Sequence, residues 1–221
     1  MRFDGDVTGD LRVPWTIVVP VKHLSAAKSR MGDAGFAALD ELAMAFFQDT
    51  VTAGLACDAV ERVVVATSDD RVAAWSGRCG CVVFDDARYP GINPAVNAAS
   101  ANLRGPVAVL VSDLPCATPD SLARALRLAC QHRTAFLSDA AGTGTTLWTR
   151  LREVSDAPHF GDGSRAAHVH AGAADLARLS AEATDLERMR RDVDTVSDLQ
   201  DALRLGVGEF TAATLAGVDV L

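Results

Sequence analysis

The chain has 221 residues, a formal net charge of −8, and 49% hydrophobic against 23% charged residues, a balance that excludes a disordered or coiled-coil chain. No apolar run approaches the roughly 18 residues of a membrane span, and the opening MRFDGDVTGD has no apolar core that would read as a secretory signal. An isoelectric point near 5.0 argues against broad nucleic-acid or anionic-membrane binding, and five cysteines without CxxC pairs fit reduced thiols in a cytoplasmic protein.

Residues 1–12 read as a polar tail, and 13–221 as one domain. WTIVVPV (15–21) is a short β-branched run, as a buried strand requires. Residues 36–56 place Phe36, Leu39, Leu42, Ala43, Phe46 and Phe47 at helical spacing. Strands are expected at 60–68, 81–86, 106–113 and 134–139, with helices at 69–78, 94–103 and 121–131 between them. After residue 140 the rhythm breaks into two glycine-rich loops (141–146 and 160–164), a helix over 165–173, a carboxylate-rich turn (190–199) and a helix near 196–205. Strands alternating with helices at this interval predict an α/β chain with a mostly parallel twisted sheet covered on both faces.

In open α/β sheets ligands bind beyond the carboxyl ends of the strands. Three segments there carry chemistry. The first is PVKHLSAAKSRMG (20–32), which holds Lys22, Lys28 and Arg30. Only two of the 21 basic residues are lysines, and both fall in this loop. Converging cations suit a polyphosphate; a solvated helix start is the plainer alternative. No glycine precedes either lysine, which excludes a Walker A loop, and no GxGxxG follows the strand. In the second segment, VAVLVSDLP (107–115), a continuous apolar strand ends in Asp113. Such a carboxylate needs a partner: a hydrogen-bonded loop cap, or a divalent metal such as magnesium. The third is RDVDT (191–195). If it is extended, Asp192 and Asp194 point to one side, an unfavourable pair unless a cation joins them. A capping box from Thr195 and Asp198 accounts for Thr195 and leaves Asp192 unexplained.

The glycine-rich loops add donors. Gly161 and Gly163 permit close backbone approach, and Ser164 is expected to cap the helix after it. GTGTT (142–146) offers hydroxyls and amides. Arg165 and His168 either add donors or lie on the exposed face.

The run PVK-x-L-x-x-AKSR-M, then GIN-x-A (91–95), DLP (113–115), D-x-x-GTGT-T (139–146), FG-x-x-S-x-x-x-H (160–168) and D-x-DT-x-x-DL (192–199) resembles the guanylyltransferases of coenzyme F-420 biosynthesis. These are MobA-like nucleotidyltransferases with a glycosyltransferase-A-like fold. The order of motifs is specific where no single one is, and it spans roughly residues 14 to 205. The resemblance implies transfer of GMP from GTP to a small phosphorylated three-carbon acid, with Mg2+ as cofactor. It implies that Lys22, Lys28, Arg30 and Asn93 bind the nucleotide and that Asp113, Asp192 and Asp194 hold the metal. It further implies that Thr146, Gly161 and Ser164 bind the acceptor, with Lys28 and Asp113 as catalytic groups. Phosphoenolpyruvate, 2-phospho-L-lactate and 3-phosphoglycerate are the acceptors open to such a chain, and the Ala/Arg-rich composition of a GC-rich bacterium favours the first. The alternatives are another MobA-like transferase, although the LxxGxxxRMG loop of those relatives is replaced here, and a non-catalytic nucleotide-binding module, which the three carboxylates disfavour.

Overall fold

The computed structural model describes residues 14–24, 39–152, 157–179 and 186–216. Lys28, Arg30 and the polar tail lie outside them. The elements run β1 (Trp15–Pro20), α1 (Leu39–Leu55), β2 (Val60–Ala66), α2 (Asp70–Arg78), β3 (Val82–Phe84), α3 (Ile92–Ser100), β4 (Val107–Leu110), α4 (Pro119–Ala129), β5 (Thr134–Leu137), β6 (Leu147–Arg150), α5 (Ser164–His170), β7 (Ala174–Asp175), α6 (Leu176–Leu179), α7 (Glu187–Arg190), α8 (Val196–Leu205) and α9 (Glu209–Thr214).

The strands form one seven-stranded sheet in the order β3-β2-β1-β4-β6-β5-β7. β1 pairs in parallel with β2 on one side and β4 on the other. Every residue of β1 is buried, as expected of a central strand covered on both faces. Alternation along it divides the core. Ile17 and Val19 pack with Phe47 and Val51 of α1 and Leu122 and Leu126 of α4, while Val18 packs against Val96 and Ala99 of α3. Strand order reverses about β1, so a crevice opens beyond the carboxyl ends of β1 and β4, where such sheets bind ligands.

The helix starts follow local chemistry. Thr118 and Ser121 form a capping box at α4, Thr195 and Asp198 one at α8, and Asp69 accepts from the amides of Arg71 and Val72 at α2. The mostly parallel sheet is present, with one strand reversed: β6 runs antiparallel between β4 and β5. Sequence pattern alone leaves 147–150 without an element. Its four residues are too few for a period to declare itself, and their burial comes from neighbours on both sides. Arg150 is buried at the far end of β6, where its guanidinium donates to the carbonyls of Ser100, Leu103 and Gly105. Among the described residues no helix is long and apolar enough to cross a membrane, and all five cysteines are free thiols.

Candidate active site

A cleft of about 800 Å³ lies beyond the carboxyl ends of the strands. Lys22 and Leu24 after β1, Asp86 after β3, Ile92 and Ala95 of α3, and Asp113 after β4 line one part of it. Asp139, Thr143, Gly144 and Thr145 after β5, residues 160–164, and Asp192 and Asp194 line the rest.

Four of the carboxylates that line the cleft, Asp113, Asp139, Asp192 and Asp194, are brought together largely by contacts of the backbone around them. Thr50 of α1 accepts from the amide of Leu114 at 3.0 Å, and its hydroxyl proton, directed first at the Phe46 carbonyl at 2.8 Å, also lies 3.3 Å from the carbonyl of Ser112, which pins the turn around Asp113 to α1. The Asp113 carbonyl accepts from the Val193 amide at 3.1 Å. Val193 is 0% exposed and packs with Leu42, Phe46 and Leu199. Its neighbours Asp192 and Asp194 both line the cleft, the period-two arrangement expected of an extended stretch. Arg190 donates to the carbonyls of Ser138 and Asp139, and its own carbonyl accepts from the Ala140 amide. These bonds tie the end of β5 to the chain that leads into Asp192.

Asp139 is the fourth carboxylate. Its oxygens accept from the amides of Thr143 and Gly144 at 2.9 and 2.8 Å. A Cβ on Gly144 would stand 2.5 Å from Asp139 Oδ2, so glycine is required for this loop to close on the carboxylate. The crowding has an electrostatic signature. The Asp192 carboxyl is pushed up to about 7 by burial first, then by the charges of Asp113, Asp139 and Asp194.

The oxygen-only donor set, with one carboxyl held back from ionising by burial and then by its neighbours, is of the kind that suits a hard divalent cation. Among the described residues no three His, Cys, Asp or Glu side chains form a ready-made metal cage. As placed, the carboxylates do not by themselves make a metal site, and a cation bound there would have to complete its shell with other ligands.

Elsewhere in the cleft the loop 160–164 turns through Gly161 at φ 120° and Gly163 at φ 68°, conformations that favour glycine. Ser164 does not cap α5. Gly163 holds the cap position, and the buried Ser164 hydroxyl bonds that of Thr145 at 3.1 Å. Thr146 is 0% exposed, its hydroxyl directed at the Leu137 carbonyl. It enters β6 facing away from the cleft, and Thr145, one residue earlier, faces it. Asn93 is placed otherwise than expected for a nucleotide ligand. Its amide donates to the carbonyl and accepts from the amide of Phe160 at 2.9 and 2.8 Å, clasping α3 to the 160–164 loop. Arg165 and His168 do not lie on an exposed face. Arg165 pairs with Asp175 and donates to the Gly142 carbonyl, and His168 is buried. Lys22 is exposed at the cleft edge, and the loop beyond it is anchored where the Leu24 amide donates to Asp69.

The model of the family described as guanylyl transferase CofC like matches residues 15–220. The chain belongs to that family. This CofC-like chain is 47% identical over 208 residues to a phosphoenolpyruvate guanylyltransferase of Streptomyces coelicolor, covering 91% of this chain and 96% of the relative. It is 41% identical over 216 residues to one of Thermomonospora curvata, covering 96% and 92%. In fold it resembles a nucleotidyl transferase from Methanothermobacter, with a TM-score of 0.59 and 15% identity over 89% of this chain and 98% of that one.

Two cleft residues of the CofC-like chain escape a reading by motif. Asp139 begins the D-x-x-GTGT-T motif but carries no role there. Its signal is the glycine five residues on, which a carboxylate needs if the loop is to fold onto it. Thr145 is displaced by one position because the phase of β6 is invisible before the strand is known.

Two stability predictions follow from the crowding. Because the folded-state pKa of Asp192 is raised, the native chain holds a proton that the unfolded chain releases, so stability falls as pH rises from about 4 to about 7 and the cost is complete above that. Asp192→Asn should therefore stabilise the metal-free protein at pH 8 by roughly 1–2 kcal/mol after solvent screening, about 2–8 °C in Tm. The gain should vanish near pH 4; equal melting temperatures at pH 8 would remove the repulsion. Gly144→Ala should cost about 1–3 kcal/mol in thermal or urea unfolding. Gly77→Ala, where an added Cβ meets nothing within 4 Å, is the matched control and should be neutral or stabilising. Equal effects in the two variants would refute the close approach at Asp139.

Proposed function

We propose that this chain transfers the guanylyl group of GTP to phosphoenolpyruvate with release of pyrophosphate, a step of coenzyme F-420 biosynthesis, and that residues 13–221 act as one nucleotidyltransferase domain. The observation that carries this reading is the position of the carboxylates. They line the same cleft as Lys22 and as Thr145 and Ser164, so a triphosphate held at the first and an acid held at the others would share that cleft with them. The name borne by the Streptomyces and Thermomonospora relatives supports the choice of acceptor.

In this reading an oxygen of the acceptor phosphate attacks the α-phosphorus of GTP. The bond to the bridging oxygen breaks, and pyrophosphate leaves with that electron pair. The nucleophile is already anionic, so no side chain has to remove a proton. What the protein must supply is alignment and relief of charge. Lys22, with Lys28 and Arg30 further along the same loop, holds the triphosphate. Thr145, Gly161 and Ser164 hold the acceptor. Asp113, Asp192 and Asp194 would hold magnesium, with Asp139 adding to the field. Magnesium bound there supplies neutralisation of the phosphates and polarisation of the reacting phosphoryl group.

The test is a matrix of each nucleoside triphosphate against phosphoenolpyruvate, 2-phospho-L-lactate and 3-phosphoglycerate, with magnesium and a pyrophosphate readout. GTP with phosphoenolpyruvate should give the highest kcat/KM. Faster turnover of either other acid would reassign the acceptor, and no release from any GTP pairing would sink the reading. Asp113→Asn and Asp192→Asn should each lower kcat by about a hundredfold or more while the far-UV spectrum stays unchanged. Near-parental turnover in both would refute their role as metal ligands.

A further inference from the structure

His168 lies in the interior of the acceptor side, 1% exposed, and both of its ring nitrogens are engaged. Nε2 stands 2.9 Å from the backbone amide of His159. A backbone N–H can only donate, so Nε2 is the accepting nitrogen and bears no proton. Burial and the neighbouring His159 lower the His168 pKa to about 4, which keeps the ring neutral at pH 7. A neutral ring with a bare Nε2 carries its proton on Nδ1. The ring is stacked on Phe136 at 5.2 Å and meets Phe160 edge-on at 6.1 Å, which fixes its plane.

Nδ1 stands 3.0 Å from Thr145 Oγ1, and Thr145 Oγ1 stands 3.1 Å from Ser164 Oγ. With the ring donating, neither hydroxyl can pass a proton to the histidine. The two hydroxyls hold two protons between them and share one hydrogen bond. One O–H is therefore left over, whichever way the shared bond points. Both residues line the cleft. The opposite tautomer would reverse the outcome: Thr145 would donate to the ring, Ser164 to Thr145, and the pair would offer only lone pairs. An anionic oxygen needs the first arrangement and is repelled by the second.

We propose that His168 is a positioning residue that sets the polarity of the Thr145–Ser164 hydroxyl pair, so that the pair presents one O–H donor to an anionic oxygen of the acceptor acid. This rests on the reading of that side of the cleft as the acceptor site. It gives α5 a task other than scaffolding: its first residue carries one hydroxyl, and its fifth orients the pair.

Two measurements on the full chain test it. Long-range proton–nitrogen NMR of the His168 ring should show the neutral Nδ1–H form at pH 7. An Nε2–H form or a charged ring would overturn the proposal, and this result does not depend on turnover. In steady-state kinetics His168→Phe keeps the ring and its stack but removes both nitrogens. It should raise KM for phosphoenolpyruvate by about tenfold or more, the effect of losing a hydrogen bond to a charged group, and leave KM for GTP within about twofold. His168→Asn, whose amide N–H can take the place of Nδ1–H, should recover most of the loss. An unchanged acceptor KM in His168→Phe would overturn the proposal. So would an equal rise in both KM values, or a His168→Asn variant as impaired as the phenylalanine one. If the parent protein turns over no acceptor, the guanylyltransferase reading falls, and the tautomer still decides the polarity of the pair.

Discussion

Backbone hydrogen bonds and apolar packing hold Asp113, Asp139, Asp192 and Asp194 closer together than their charges favour. Thr50 fixes the turn around Asp113, and buried Val193 carries Asp192 and Asp194 up to it. Arg190 neutralises no carboxylate among them; its guanidinium goes to the Ser138 and Asp139 carbonyls. Burial first, and then the neighbouring charges, raise the Asp192 carboxyl to about 7. The crowding disfavours ionisation of Asp192, and it stands at the reversal of strand order, where α/β sheets bind ligands.

The rest of the architecture serves that point. β1 and β4 deliver Lys22 and Asp113 to the same rim because they pair in parallel side by side. The two threonines that lead into the antiparallel β6 alternate, Thr145 lining the cleft and Thr146 fully buried. Asn93 clasps Phe160, so α3 and the 160–164 loop are set as one piece. A net charge of −8 does not exclude a polyanionic ligand, because charges beyond about 8–10 Å are screened and the local groups decide.

Much of this was legible in the residues. The alternation of strands and helices up to residue 139 gives the sheet, and the pattern Asp192-Val193-Asp194 gives two carboxylates on one side once the stretch is extended. Thr195 and Asp198 form the capping box their spacing suggests. What was not legible depends on partners distant in sequence. β6 is four residues long and owes its burial to β4 and β5. Thr146 and Thr145 exchange places because a strand's phase is set by where it starts. His168 sits in a helix of only seven residues, too short for a buried face to show as periodicity. Asp139 looks like any strand-end aspartate until Gly144 is seen folded against it.

The most direct measurement of the central claim is the pKa of the Asp192 carboxyl, followed by carbon NMR with and without magnesium. The account predicts a value near 7 in the metal-free protein, as burial and the three neighbouring carboxylates require, and a fall below about 5 when magnesium saturates the site. An ordinary value of about 4 without metal, or a raised value that magnesium leaves unchanged, would contradict it.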